Sequence, residues 1–165
     1  MKKKLIAALA VVAISLGAGA ALMPRAAAPE VRFATLSGEP VSTSSLRGKV
    51  LLVNFWSITC VSCIREMPKM AATYGKFAPR GYEMVAVAMS YDPPNQVAEF
   101  ARKRALPFKV ALDGDGSIAR DFGGIRATPT SFLIDRRGRI LKQYLGEPDW
   151  AELYALVEKA LSDPA

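Results

Sequence analysis

Histidine is absent from this chain of 165 residues, and cysteine occurs only twice. Without histidine there is no Ser–His or Cys–His nucleophile pair and no imidazole to hold a haem iron. A structural zinc ion takes four ligands, mostly cysteine and histidine. Two cysteines cannot supply them, so a self-contained zinc site is excluded and no metal or other cofactor is expected. Acidic residues are the minority, 15 against 22 basic, for a net charge of +7. Lys2, Lys3 and Lys4 carry three of those positive charges. The remainder sits in short groups such as Arg102-Lys103-Arg104 and Arg136-Arg137-Gly138-Arg139, without interleaved aromatics. That pattern does not suit nucleic acid, and the second group reads as the solvated tip of a hairpin. Asp113-Gly114-Asp115-Gly116 lacks the downstream acidic ligands of a calcium loop and reads as a turn.

Long apolar runs are scarce, with one exception. Leu5 to Met23 carries no charge and follows three lysines. This is a basic region followed by an apolar segment, an export signal in form. Its length is also about that of a minimal bilayer span. Small residues at Ala18-Gly19-Ala20 and Ala26-Ala27-Ala28 suit cleavage, with Pro29 against the second site, while continuation of the run to Met23 suits an anchor. Residues 1–23 are therefore read as a signal peptide or signal anchor and 24–30 as a Pro/Ala-rich linker. Residues 31–165 are read as one domain, since about 135 residues can bury one core. No cysteine stands directly after the apolar run, which excludes a lipid-modified anchor. The lysines keep the N-terminus inside and put the domain outside, in an oxidising compartment.

What the chain does contain is a pair of thiols three residues apart, Cys60-Val61-Ser62-Cys63. The apolar strand Val50–Phe55 runs into the pair and a helical pattern follows it, with Ile64, Met67, Met70, Ala71 and Tyr74 on one face. Strand, C-x-x-C and helix in that order mark a thiol–disulfide site. Cys60 stands where unpaired amide N–H groups and the helix dipole favour a thiolate. Cys63, one turn further in, faces the same bond from the buried side and is the resolving partner. Pro68 lies inside the helix and is expected to kink it.

Further elements follow by periodicity. Strands are expected at Val31–Leu36, Met84–Met89, Pro107–Leu112, Ser131–Ile134 and Arg139–Tyr144. Helices are expected from Asp92 to about Ala105, over Ser117–Phe122, and after an Asp149 cap through Leu161. Alternating strands and helices make an α/β sheet covered on both faces.

Three motifs, Asn54-Phe55-Trp56, Cys60-x-x-Cys63-x-x-Glu66-x-Pro68 and Ile125 to Asp135 around Thr128-Pro129-Thr130, resemble the exported, membrane-tethered TlpA/ResA-type proteins of the thioredoxin fold. The resemblance covers about Val31 to Leu161. It implies a thioredoxin-like α/β fold, a central mixed sheet with helices on both faces, and an extra α–β insert matched by Asp92 to Leu112. It also implies a cis-proline at Pro129 opposite the disulfide, with the Thr128 backbone and Trp56 serving substrate binding. Plain thioredoxins have a buried aspartate where this chain has Asn54, which cannot titrate. Glu66, three residues after Cys63, resembles the glutamate that the tethered branch places near the disulfide, where it can exchange protons with a thiol. Thr59 departs from the tryptophan that many relatives carry before the first cysteine. Val61-Ser62 matches none of the better-known dipeptides, and the missing histidine argues against the strongly oxidising type.

The expected function is therefore an exported thiol–disulfide oxidoreductase, a disulfide reductase of exported proteins. Apocytochrome c preparation and general periplasmic thiol reduction both suit it. It would act as a monomer on the periplasmic side of the inner membrane, tethered through residues 5–23 or released by cleavage, and be re-reduced by a membrane electron donor. The alternatives are a dithiol oxidant on the same residues, a redoxin-type thiol peroxidase (Ser57 stands three before Cys60), and a non-enzymatic metal- or redox-binding module.

Overall fold

A computed structural model describes residues 25–164, so the segment read as a signal peptide or anchor lies outside the described residues. The strands are β1 (Arg32–Thr35), β2 (Pro40–Ser42), β3 (Val50–Trp56), β4 (Tyr82–Ala88), β5 (Lys109–Leu112), β6 (Thr130–Ile134) and β7 (Ile140–Leu145). The helices are α1 (Val61–Phe77), α2 (Pro94–Lys103), α3 (Ser117–Asp121) and α4 (Trp150–Ser162), with single 3-10 turns at Ser44–Leu46 and Ala78–Arg80.

The strands form one sheet in the order β2-β1-β5-β4-β3-β6-β7. The inner pairs β3–β4 and β4–β5 are parallel, and the outer pairs are antiparallel. Every residue of β3 and β4 is buried, as their unbroken apolar runs require for strands covered on both faces. Side chains alternate between two cores. Val50, Leu52 and Trp56 share one with Met67, Met70 and Phe77 of α1, Val97 of α2 and Leu153 and Val157 of α4. Leu51, Val53 and Phe55 share the other with Ile118 and Ala119 of α3 and with Phe122. This is the thioredoxin-like mixed sheet with helices on both faces. The Asp92–Leu112 segment forms α2 and β5, which extends the sheet between β4 and β1.

Helix α1 runs through Pro68. Proline has no N–H for the carbonyl of Ile64, so the helix loses one bond there. The 3-10 turn Ala78–Arg80 that follows it is closed by Gly81, whose φ of 97° is open to glycine and strained for other residues.

Two features depart from the expected outline. Strand β2 was not apparent in the sequence, because three residues are too few to show a period. The stretch read as a linker is attached to the domain from Ala26 onward. The Ile140 N–H donates to the Ala26 carbonyl (2.8 Å) and the Ala28 N–H to the Gly138 carbonyl (2.9 Å), with Ala27 bridged antiparallel to Arg139. Residues 26–28 thus form a short strap across the turn joining β6 and β7, and Ala28 is buried beneath it.

Candidate active site

Cys60 is the N-cap of α1, in extended conformation (φ −86°, ψ 106°), and its Sγ accepts from the Cys63 N–H at 3.2 Å. It is bonded to Cys63, with the two Cα atoms 5.2 Å apart. The two sulfurs are not equivalent. Cys63 is fully buried on the inner stripe of α1, while Cys60 is half-buried at the helix start and faces the Thr128 carbonyl oxygen at 3.4 Å. A thiolate at Cys60 would be stabilised by the free N–H groups of the first turn.

Opposite the disulfide, the Thr128–Pro129 peptide is cis. Pro129 is buried and its carbonyl accepts from the Gly146 N–H at 2.8 Å, while the Thr130 hydroxyl donates to the Ala127 carbonyl at 2.7 Å. These bonds hold the loop before β6 against the sulfur. Among the described residues nothing accepts from the Thr128 N–H.

Behind Cys63 lies a buried polar group. Asn54 of β3, Ser131 of β6 and Glu66 of α1 are all 0 % exposed. Asn54 faces Ser131 in the β3–β6 register, and its side-chain amide donates to Ser131 Oγ at 3.0 Å and to Glu66 Oε1 at 3.1 Å. Glu66 Oε2 is buried with no hydrogen-bond partner. Burial raises the Glu66 carboxyl to about 7; the Asn54 hydrogen bond opposes that rise, Glu147 adds to it and Arg65 works against it. At neutral pH this group is divided between acid and carboxylate, the range in which a carboxyl can both give and take protons. Ser131 lies within the Ile125–Asp135 motif, and nothing in the sequence pairs it with Asn54, 77 positions away.

A second bonded group precedes Cys60. Asp92 is buried between β4 and α2. Its Oδ1 accepts from the Ser57 hydroxyl at 2.8 Å and its Oδ2 from the Ile58 N–H at 3.0 Å. The Ser57 hydroxyl in turn accepts from the Thr59 N–H at 3.1 Å. Asp92 was expected to open a helix. Instead Pro93 occupies the cap, and the carboxylate fixes the loop leading to the reactive sulfur.

Comparison with known proteins agrees with this geometry. Residues 23–157 match the Redoxin family model. Over 132 residues the chain is 33% identical to the thiol-disulfide oxidoreductase ResA of Bacillus thuringiensis subsp. konkukian, covering 80% of this chain and 75% of that protein. The ResA of Halalkalibacterium halodurans is 37% identical over 111 residues, 67% of this chain and 62% of its own. A thiol:disulfide interchange protein of the thioredoxin family from Chlorobium tepidum TLS superposes with a TM-score of 0.76 at 29% identity, covering 85% of this chain and 99% of that one. The chain belongs to the TlpA/ResA-like redoxin family. It is a thiol–disulfide oxidoreductase, and Cys60–Cys63 is its redox-active pair.

One site expectation needs correction. Trp56, read as part of the substrate surface of this TlpA/ResA-like protein, is 0 % exposed. It shares a strand face with Val50 and Leu52, so its ring enters the core and meets Phe100 of α2 at 5.3 Å. Pro68, the proline of the motif that begins at Cys60, is exposed on the outer side of α1. The surface beside Cys60 is built from other residues. Val61 is 80 % exposed and Leu145, opposite Thr130 in the β6–β7 pair, 78 %. Ile58, Thr59, Val61, Ile64 and Arg65 line an open groove next to the sulfur. Aliphatic side chains thus flank the disulfide where a tryptophan before Cys60 would lie flat. Among the described residues no cluster of His, Cys, Asp and Glu could hold a metal ion.

Proposed function

We propose that this protein is an exported disulfide reductase acting on protein disulfides. The observation that carries the reading is the asymmetry of the pair: a half-buried Cys60 at a helix N-terminus, and a buried Cys63 one turn before an unpaired carboxyl oxygen of Glu66. In the reduced protein the Cys60 thiolate attacks one sulfur of a substrate disulfide. The S–S bond breaks, the other substrate sulfur leaves and takes a proton, and a mixed disulfide remains. Cys63 then gives its proton to Glu66, and its thiolate attacks the Cys60 sulfur. The second substrate thiol departs with a proton, and the Cys60–Cys63 disulfide is closed. The substrate has gained two electrons and two protons, which a dithiol of the membrane-donor class must return.

An extended substrate segment would lie along the Thr128 backbone as an added strand, using its free N–H, with Val61 and Leu145 against apolar residues beside the substrate cysteine. The apolar run Leu5–Met23 supports attachment to the cell envelope with the domain on the periplasmic side, either anchored or released by cleavage. Among the described residues no helix is long and apolar enough to cross a membrane.

Direction of electron flow follows from the potential. No histidine lies between the cysteines to stabilise the reduced form unusually. The couple is expected nearer the thioredoxin value of about −270 mV than the oxidant value of about −120 mV. Redox titration of the full chain in detergent against dithiothreitol or glutathione measures it. A potential in the oxidant half of that range would reverse the direction and make the protein a dithiol oxidant.

A further inference from the structure

The end of the domain opposite the disulfide carries a feature that the redox chemistry leaves unused. Strand β3 runs from Val50, near the β6–β7 turn (Leu51 pairs with Ile134), to Trp56 just before the redox loop. At about 3.3 Å per residue its seven residues separate the two ends by about 20 Å. The strap of residues 26–28 is bonded to the turn at the far end. Only Pro24 and Arg25 stand between the last residue of the apolar run, Met23, and Ala26. Three residues of extended chain reach at most about 10 Å. If residues 5–23 span a bilayer, the β6–β7 turn cannot stand further than that from its surface.

The side chains at this end suit such a neighbour. Arg25, Arg47 and Arg137 are exposed, and Arg136 is half-buried. None of the four is ion-paired among the described residues. The nearby carboxylates are taken: Asp135 by Arg139 at 2.7 Å and Asp163 by Lys159 at 3.0 Å. The Arg47 guanidinium donates to the Arg137 carbonyl, tying the loop before β3 to the turn. Gly138 keeps the turn tight, with φ 77° and a position where a Cβ would meet Arg47 Cζ at 2.6 Å. Arg136 and Arg137 stand on this fixed turn, with Arg47 tied to it and Arg25 just before the strap, and none of the four has an acidic partner among the described residues.

We propose that the strapped β6–β7 end, through Arg25, Arg47, Arg136 and Arg137, rests on anionic lipid headgroups and holds the Cys60–Cys63 end away from the bilayer. The inference rests on the reading of residues 5–23 as an uncleaved span. It adds a constraint on partners: a donor must bring its dithiol to the Cys60 end, about 20 Å from the arginine turn.

The test uses the full chain in vesicles of phosphatidylcholine with or without phosphatidylglycerol. In a Cys60→Ser/Cys63→Ser background, a fluorophore is placed at Ser162→Cys, at the arginine end, or at Val61→Cys, at the redox end. Quenching by headgroup-nitroxide lipid is then read. The Ser162 label should be quenched severalfold more than the Val61 label, and the difference should grow with phosphatidylglycerol. Arg25→Glu and Arg137→Glu should lower the docked-to-undocked ratio about fivefold per positive charge lost. A Gly/Ser insert before Ala26 should weaken the bias as the domain gains freedom. Vesicle-bound chain with equal quenching at both positions overturns the orientation while leaving the anchor standing. Quenching indifferent to phosphatidylglycerol and to the arginine variants overturns the lipid contact. Chain that fails to float with the vesicles overturns the anchor reading and this inference with it.

Discussion

Two glutamates are buried among the described residues of this protein, and they do opposite things. Glu83 on β4 is 3 % exposed, and Glu66 on α1 is 0 % exposed. Glu83 has cations: its Oε2 lies 3.1 Å from Lys109 Nζ and 3.7 Å from Lys49 Nζ, and its Oε1 accepts from the Met84 N–H. Glu66 has an amide on one oxygen and nothing on the other. A buried carboxylate with cations and an N–H is a structural anion. A buried carboxyl with neither is pushed toward its acid form, to about 7 here. Burial alone therefore says little about a glutamate's work; its partners decide.

The largest effect that sharpens the comparison comes from the thiol Glu66 is proposed to serve. Cys60→Ser should abolish disulfide reduction and trap no substrate. Cys63→Ser should also stop turnover but accumulate mixed disulfides at Cys60, because the attacking thiol survives and the resolving one is gone. Gel analysis under non-reducing conditions reads both. In the reduced wild type, pulse alkylation should label Cys60 far faster than Cys63. Equal trapping by the two variants would remove the ordered exchange and, with it, the need for a proton acceptor behind Cys63.

Glu66→Gln comes next, and the sign can be worked out. The folded carboxyl titrates near 7 and the unfolded one near 4.5. Between those values the folded state holds more protons than the unfolded state, so stability falls as pH rises from about 4.5 to 7 and is level above. Glutamine cannot ionise and keeps the Oε1 acceptor for Asn54. The oxidised variant should match wild type at pH 4 and exceed it at pH 8 by up to about 3 kcal/mol, at 1.36 kcal/mol per pKa unit. Denaturant unfolding at the two pH values measures this. The same variant should lose the inflection near 7 in the pH profile of insulin-disulfide reduction. Unchanged curves on both counts would make Glu66 a buried group with no part in the proton transfer.

Glu83→Gln should show the reverse pattern. Losing contacts to Lys49 and Lys109, both partly exposed (48% and 22%), should cost about 1–2 kcal/mol at pH 7. The pH profile of turnover should stay that of wild type. A shifted profile would mean that the two glutamates are coupled, and the contrast between them would fail.

The ease with which these parts could be read from sequence differs for physical reasons. Cysteines three apart after an apolar strand are a local pattern, and the order of strands and helices follows from local periodicity. Glu66 is legible as the glutamate of the C-x-x-C-x-x-E-x-P pattern that the resemblance singles out, one turn after Cys63. Its hydrogen-bond partner Asn54 was noticed as a polar residue in an apolar strand, but the third member, Ser131, comes from a distant strand and only register brings it in. Trp56 is misplaced because its role was carried over from the resemblance, and an apolar strand shows no alternation to reveal that residues 50, 52, 54 and 56 share one face. The strap was misread because three alanines after a proline have the composition of a linker. Their pairing depends on the free edge of a turn more than 100 residues away.

The smallest expected effect concerns Asp92, which belongs with Glu83 in this comparison: a buried carboxylate fully used by donors. It binds the Ser57 hydroxyl and the Ile58 N–H, the two residues through which the chain passes from β3 to the loop before Cys60. Asp92→Ala leaves the part-buried Ile58 N–H without its acceptor and the Ser57 hydroxyl with only Thr59 Oγ1, at 2.9 Å, at a cost of about 1–3 kcal/mol. If its work is to position the loop, the loss should also appear in the chemistry: alkylation of Cys60 in the reduced protein should slow by about a factor of a few. The pH at half-maximal rate should hardly move, because the first turn of α1 and its N–H groups are untouched. Asp92→Asn keeps one acceptor oxygen and should recover most of the alkylation rate while recovering less of the stability. Loss of stability with an unaltered Cys60 rate in both variants would make Asp92 a purely structural anion like Glu83, leaving Glu66 as the one buried carboxyl with a part in the exchange.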